Sequence, residues 1–350
     1  MNLSSIKKDT NYLNILNVIS AIAVVIIHCN FAFWAFNPNE RYWITTNIIR
    51  QICYFAVPVF FMISGATLLN YTDRYSTKEF FRKRLKKVVF PFLIWSIIGL
   101  CYCLFMKTIL LSDLNLPYII NGILNSKFQD VFWYFPVCIS VYLCFPLFSS
   151  VDKSKRKSVF SYVAILYLIL NIIIPFFLKV FSLKISFPIS LIVGTNYLFF
   201  CIAGFLINEY DMNTKYKNCI YILGLIGLLT QILGTHFASI SAGKIVGTYS
   251  GYLNLPCILY SIAIFTFFKN YGNKMMNCKF VKKLVRFLNK YTFAIYLLHN
   301  FIRNYFVVTF NINTISIYWR LFSFIPIITL CVVITFVLRK IKFVKSIVPE

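Results

Sequence analysis

Imidazole is the side chain best suited to move a proton near neutral pH. This chain carries three histidines, and two lie deep inside apolar runs. His28 stands fifteen residues into a run that begins at residue 13, roughly 22 Å along at the helical rise. At about 100° per residue, Asn14 and Asn17 fall within roughly 40° of it, and Ala21 lies on the same stripe. A face of Asn14, Asn17, Ala21 and His28 suits a cavity or a neighbouring helix, not lipid. It serves either proton transfer or an interhelical hydrogen bond that holds the packing. His299 sits mid-run with Tyr296 and Arg303 on its face, either as a working imidazole or as part of a buried polar cluster joining helices. His236 closes its run and reads as a solvated interfacial side chain.

Three further patterns carry chemistry of a different kind. Phe81-Arg82-Lys83-Arg84-Leu85-Lys86-Lys87, followed by Pro91, is the densest basic patch entering an apolar run. It reads as a charged anchor that attracts anionic lipid, or as a clamp in which Arg82, Arg84 and Lys87 grip phosphates. Ser64-Gly65 closes a run one turn and more beyond Pro58. The pair permits close helix approach, and Pro58 can free a carbonyl and kink the helix. Trp133-Tyr134 opens another run, as an interfacial aromatic belt or as a binding surface.

The elements that must position these residues are transmembrane helices. The chain has 350 residues, of which 59% are hydrophobic, 19% aromatic and 13% charged. Its mean hydropathy is +0.75. A soluble chain carries roughly 25% charge, and here the apolar residues come in runs of about 20, the length that crosses a bilayer. Soluble, disordered, fibrous and disulfide-rich secreted classes are excluded. The sequence predicts an all-α, polytopic bundle of about ten helices forming a single domain over 1–350. The spans are 13–35, 51–70, 88–106, 131–149, 158–178, 188–207, 218–236, 251–268, 290–309 and 316–338. Lys7 and Lys8 precede a retained anchor, not a cleaved signal.

The net charge of +25 does not point to nucleic acid, because the bases lie in short connectors. With a cytoplasmic amino terminus and ten spans, 26 of the 35 Lys and Arg residues fall on the cytoplasmic side and 9 on the other. That alternation predicts both termini in the cytoplasm. Most of the eleven cysteines lie within apolar runs, where a thiol behaves as a small hydrophobe, so no disulfide and no metal site is expected. No Asp or Glu falls deep in a span, with Asp130 and Glu209 at edges, which disfavours an ion-coupled transporter.

Taken in order, Asn11-Tyr12-Leu13-Asn14 through His28, Val57-Pro58 to Gly65, and Phe81 to Trp95 resemble the opening helices of the acyltransferase-3 family of bacterial membrane proteins. Phe132-Trp133-Tyr134 to Pro146, Tyr197 to Gly204 and Tyr291 to His299 continue the resemblance over nearly the whole chain, and it is nearest to the group holding the O-acetyltransferase of enterobacterial common antigen. The resemblance implies a multi-pass protein of the bacterial cytoplasmic membrane that moves an acyl group, usually acetyl, from acetyl-CoA or another acyl-CoA to a hydroxyl of a surface glycan or its lipid-linked precursor. Acyl-CoA is then a substrate, and no cofactor is permanently bound. It makes His28 the catalytic histidine, Arg84 and Lys87 the counterpart of the family's Arg-x-x-Arg, and Ser64 and Gly65 its Ser-Gly motif.

On this reading His28 takes the acceptor's proton or carries the acyl group, with His299 as a further candidate. Asn17 or Tyr296 donates to the tetrahedral oxygen or positions the thioester, and Arg82, Arg84 and Lys87 hold the CoA phosphates. The chain departs from the family at two positions, with Asn17 where an arginine is usual and Val131 where several relatives have a histidine. Loss of the arginine leaves open a compensating base such as Arg82, an altered donor, or a carrier or flippase for a lipid-linked sugar or exported polysaccharide.

Overall fold

Long apolar runs with few helix breakers leave the backbone one way to satisfy its polar groups inside lipid, the α-helix. In the computed structural model, which describes residues 10–191, 195–341 and 347–348, helix is the only regular structure among the described residues. The first part of the chain forms α1 (Asn11–Cys29), α2 (Arg41–Cys53), α3 (Ala56–Leu68), α4 (Thr77–Arg84), α5 (Phe90–Phe105), α6 (Leu116–Leu124) and α7 (Tyr134–Ser149). There follow α8 (Lys153–Tyr167), α9 (Ile174–Val180), α10 (Leu198–Glu209), α11 (Thr214–Ala242) and α12 (Leu255–Met275). Last come α13 (Lys279–Asn289), α14 (Thr292–Thr309), α15 (Ile317–Phe322) and α16 (Phe324–Leu338).

Six helical stretches among the described residues are long and apolar enough to cross a membrane: 11–29, 41–73, 77–105, 130–149, 153–180 and 214–242. α10 and α16 are apolar but shorter, at 12 and 15 residues. α12 and α14 have the length but carry more polar residues, including Lys269 and Asn270 in one and His299, Asn300 and Arg303 in the other. The chain is a multi-pass membrane protein.

Several expected boundaries are corrected. The span at 188–207 is helical only from Leu198; residues 188–191, from Pro188 on, hold no regular structure, and 192–194 lie outside the described residues. The span at 316–338 is broken at Ser323 into α15 and α16. Four short helices fall in stretches read as connectors or span ends: α2, α4, α6 and α13. Lys7 and Lys8, which entered the charge count, lie outside the described residues.

Two π-helical turns, Leu85–Val89 and Leu168–Ile173, share a cause. Each precedes a proline, Pro91 or Pro175, whose ring clashes with the carbonyl four residues earlier, and a widened turn absorbs the mismatch. The first joins α4 to α5 and carries the basic patch into the bundle. Pro58, by contrast, sits in the first turn of α3, where a proline is tolerated.

α1 is the central helix, packed against α2, α3, α12, α13, α14 and α16. α3 and α10 pack backbone against backbone. A Cβ on Gly65 would fall 1.8 Å from the Cys201 carbonyl oxygen, and one on Gly204 would fall 2.1 Å from that of Met62. In lipid this contact replaces the hydrophobic drive that water supplies elsewhere. At the same end of the bundle Arg156, only 6% exposed, grips Asp73 through Nη1 and Nη2 at 2.8 and 3.0 Å and ties α8 to the connector after α3.

Candidate active site

Two core clusters meet along α1, one built on α3, α7, α10 and α12 and the other on α5, α7, α14 and α16. Between them lies a chamber of about 360 Å³, within the range of about 300–1,000 Å³ usual for small-molecule sites. It runs lengthwise along α1. Asn17 lines one end and His28 the other, eleven residues and so roughly 16 Å apart. The directions of the neighbouring helices agree. Ser64, Arg84, Lys87, Tyr142, Asn289 and Thr292 belong to the Asn17 end, and Val57, Val131, Trp133 and Tyr252 to the His28 end.

At the His28 end its ring lies 5.1 Å, centroid to centroid, from the ring of His299. His299 is 1% exposed. Its Nδ1 donates to the Ile295 carbonyl at 2.9 Å, and its Nε2 is buried with no hydrogen-bond partner. Because Nδ1 must carry the hydrogen to satisfy that carbonyl, neutral His299 presents a bare acceptor at Nε2. Arg303 Nη1 donates to the backbone carbonyl of His28 at 3.1 Å and its guanidinium lies over Phe31, anchoring the end of α1 to α14. His299 and Arg303 stand behind His28 and do not line the chamber.

Tyr296 lines the chamber, but its hydroxyl donates to the Val131 carbonyl at 2.6 Å. Asn17 Nδ2 donates to both Asn289 Oδ1 at 2.7 Å and Thr292 Oγ1 at 2.9 Å. Asn289 in turn donates to Asn14 Oδ1 at 3.1 Å, so the polar half of the α1 stripe closes on the α13–α14 junction. These bonds engage the donor hydrogens of both residues, and Asn17 lies a chamber's length from His28. In this arrangement the donor hydrogens of Asn17 and Tyr296 are held by protein partners, while both side chains line the chamber.

At the Asn17 end Arg84 lies with its guanidinium 5.6 Å from the centroid of Tyr142, and its Nε is buried without a partner. Tyr142 is also 3.3 Å, oxygen to oxygen, from Ser64. Lys87 is exposed and lines the same mouth. The π turn and helical spacing place Arg84, Lys87 and Val88 together on the chamber side. Arg82 is exposed and does not line the chamber. Gly65 faces α10 through the close contact described above and also does not line it.

Trp133 and Tyr134 both line the chamber. Trp133 stacks on Tyr252 at 5.8 Å, and Tyr252 stacks on Tyr54 at 4.2 Å, giving an aromatic wall at the His28 end. Sequence reasoning missed Tyr252, Asn289 and Thr292. Asn289 left a weak signal as a polar residue at a span boundary; Tyr252 left none. His236, expected to be solvated, is half-buried and stacked on Trp43 at 5.7 Å, with Nδ1 buried.

The family comparison agrees in extent with this architecture. A family model described as an acyltransferase domain, of the acyltransferase-3 type, matches residues 10–337, the stretch that contributes every chamber residue. No curated protein and no solved structure matches the chain.

Proposed function

The chain belongs to the acyltransferase-3 family and is an acyltransferase, and from that premise we propose that it moves an acyl group from acyl-CoA to a hydroxyl of a cell-surface glycan or its lipid-linked precursor. The observation that carries this reading is the continuity of one chamber from Arg84 and Lys87 to His28. The cations at one mouth suit the phosphates of CoA. Its pantetheine arm extends along α1, past Asn17 and through an apolar stretch lined by Val24 and Phe60, to bring the thioester to the imidazole.

His28 takes the proton of the acceptor hydroxyl as the oxygen attacks the thioester carbonyl. The C–O bond forms, the C–S bond breaks, and the departing thiolate recovers the proton from His28. His299 Nε2, bare and buried with its ring 5.1 Å from that of His28, is the acceptor toward which a turn of the His28 ring directs one N–H, leaving the other nitrogen to face the chamber in the orienting arrangement of a triad. The indole N–H of Trp133 and the hydroxyl of Tyr134 are the donors placed at this end to receive charge on the tetrahedral oxygen. The acceptor sugar stacks on the Trp133–Tyr252 wall. With ten spans and cytoplasmic termini, as the base distribution favours, the Arg84 mouth opens to cytoplasmic acyl-CoA and the aromatic end to the opposite face of the plasma membrane.

The test is His28→Ala, with correct membrane insertion established separately. Loss of the general base lowers acyl transfer by about a hundredfold to ten-thousandfold, read as the mass of the acylated glycan from intact cells and as acyl-CoA consumption in membranes supplied with acceptor. Full O-acylation by a correctly inserted variant removes this mechanism. A carrier would leave acyl-CoA consumption at background in the native protein as well.

A further inference from the structure

The basic side chains of segment 279–290 do not line the chamber, yet the chemistry of the segment is strongly segregated. Lys279, Lys282, Lys283, Arg286 and Lys290 contribute five cations, and no acidic residue interrupts them. On α13, at about 100° per residue, these five occupy one arc. Val281, Val285 and Leu288 occupy the opposite arc and pack on Ile15 and Val18 of α1 and on Met276. Phe280, Leu284 and Phe287 flank that packed strip and point away from the protein, at 73%, 44% and 48% exposed. At 11 residues and with this charge, α13 cannot span a bilayer. An apolar flank beside a wholly cationic face is the signature of a helix lying in the plane of the headgroups.

We propose that α13 docks on the surface of the leaflet at the Asn17 end of the bundle and selects anionic phospholipid there. Phe280, Leu284 and Phe287 insert at the boundary of headgroups and acyl chains, and the five cations collect phosphate-bearing headgroups. Charge complementarity commits the surface to lipid. A second copy of the chain would bring a second set of five cations against the first. The docking also reaches the chamber, because α13 ends on Asn289, which holds both Asn14 and Asn17 of α1. A lipid contact on one face of an 11-residue helix thereby braces the donor-side mouth on the other.

The experiment uses the full chain in nanodiscs of equimolar phosphatidylcholine and phosphatidylglycerol, with benzoylphenylalanine placed at Phe280 by amber suppression. Photolysis followed by mass spectrometry identifies what the side chain touches. The same label at Phe336, 56% exposed on the apolar α16, reports the bulk lipid ratio. The expected result is lipid adducts at position 280 enriched about threefold in phosphatidylglycerol over the position 336 control. Combined Lys279→Gln, Lys282→Gln, Lys283→Gln and Arg286→Gln substitution returns that ratio to the control value. Absence of lipid adducts at position 280, adducts in the bulk ratio with the cations intact, or cross-links to a second copy would each overturn the proposal.

Discussion

At the scale of single residues, the His28–His299 pair separates two roles that look alike in an alanine scan. If His299 serves only to fill space, a leucine of similar bulk replaces it without loss. If its bare Nε2, left as an acceptor by the Nδ1 bond to Ile295, holds the His28 tautomer during turnover, then His299→Leu lowers kcat about tenfold, the value of one lost hydrogen bond, and leaves KM for acyl-CoA unchanged. His299→Gln, with a carbonyl oxygen near the position of Nε2, recovers part of the rate. Equal kcat for His299→Leu and the native enzyme would reduce the residue to packing. The cations make the complementary prediction. Arg84→Gln raises KM for acyl-CoA about tenfold with little change in kcat, because a charge-assisted phosphate contact is made equally in ground and transition states; Arg82→Gln, outside the chamber, changes neither. His28 and Asn17 were legible in the sequence because a polar group in an apolar run needs a reason to be there. Tyr252 was not, since a tyrosine near a span end has the same appearance in an interfacial belt as in a site wall. Which hydrogens of Asn17 and Tyr296 are already engaged depends on partners at Asn289, Thr292 and Val131, which lie far from them in sequence.

Elements set what those residues can reach, and two of them carry a sharp dependence on backbone. Gly65 belongs to the α3–α10 contact, not to substrate, so Gly65→Ala costs about 1–3 kcal/mol of overpacking and lowers the thermal unfolding midpoint in detergent. Ser64→Ala, one residue away and facing the chamber, leaves that midpoint in place. Equal unfolding midpoints for Gly65→Ala and the native protein would mean that the two helices stand further apart than the 1.8 Å between a Gly65 Cβ and the Cys201 carbonyl oxygen requires. The π turn before Pro91 offers the other test. With Pro91→Ala the Lys87 carbonyl regains its helical partner, the turn tightens, and the phase of the preceding residues rotates by about 100°. Lys87 then leaves the mouth, and KM for acyl-CoA rises while kcat holds; an unchanged KM would detach the π turn from donor binding. Apolar runs made most helices visible from the sequence. The lost boundaries have physical causes as well: α10 starts at Leu198, with Pro188 heading residues 188–191 that hold no regular structure, and α13 was invisible because its apolar arc is narrow and its cations dominate the composition.

For the molecule as a whole, the proposed reaction needs a path between two aqueous faces, and in that proposal the long chamber along α1 is where a thioester meets an acceptor without either crossing lipid. Its middle is the place to interrupt that passage. Val24 lines the chamber between Asn17 and His28, is 8% exposed, and has no polar group. Val24→Trp fills the cross-section one turn before His28, with an indole that leans toward the amino-terminal end of α1 and so away from the imidazole. If the donor threads the chamber from the Arg84 mouth, this variant loses transfer from acyl-CoA by at least about a hundredfold, comparable with removal of the base. It keeps hydrolysis of a small activated ester such as p-nitrophenyl acetate, which reaches His28 from the aromatic end. His28→Ala loses both reactions, so the two variants together separate a blocked path from a dead site. Retained transfer from acyl-CoA in Val24→Trp would place the donor on another route, and the continuity of the chamber would then no longer carry the function.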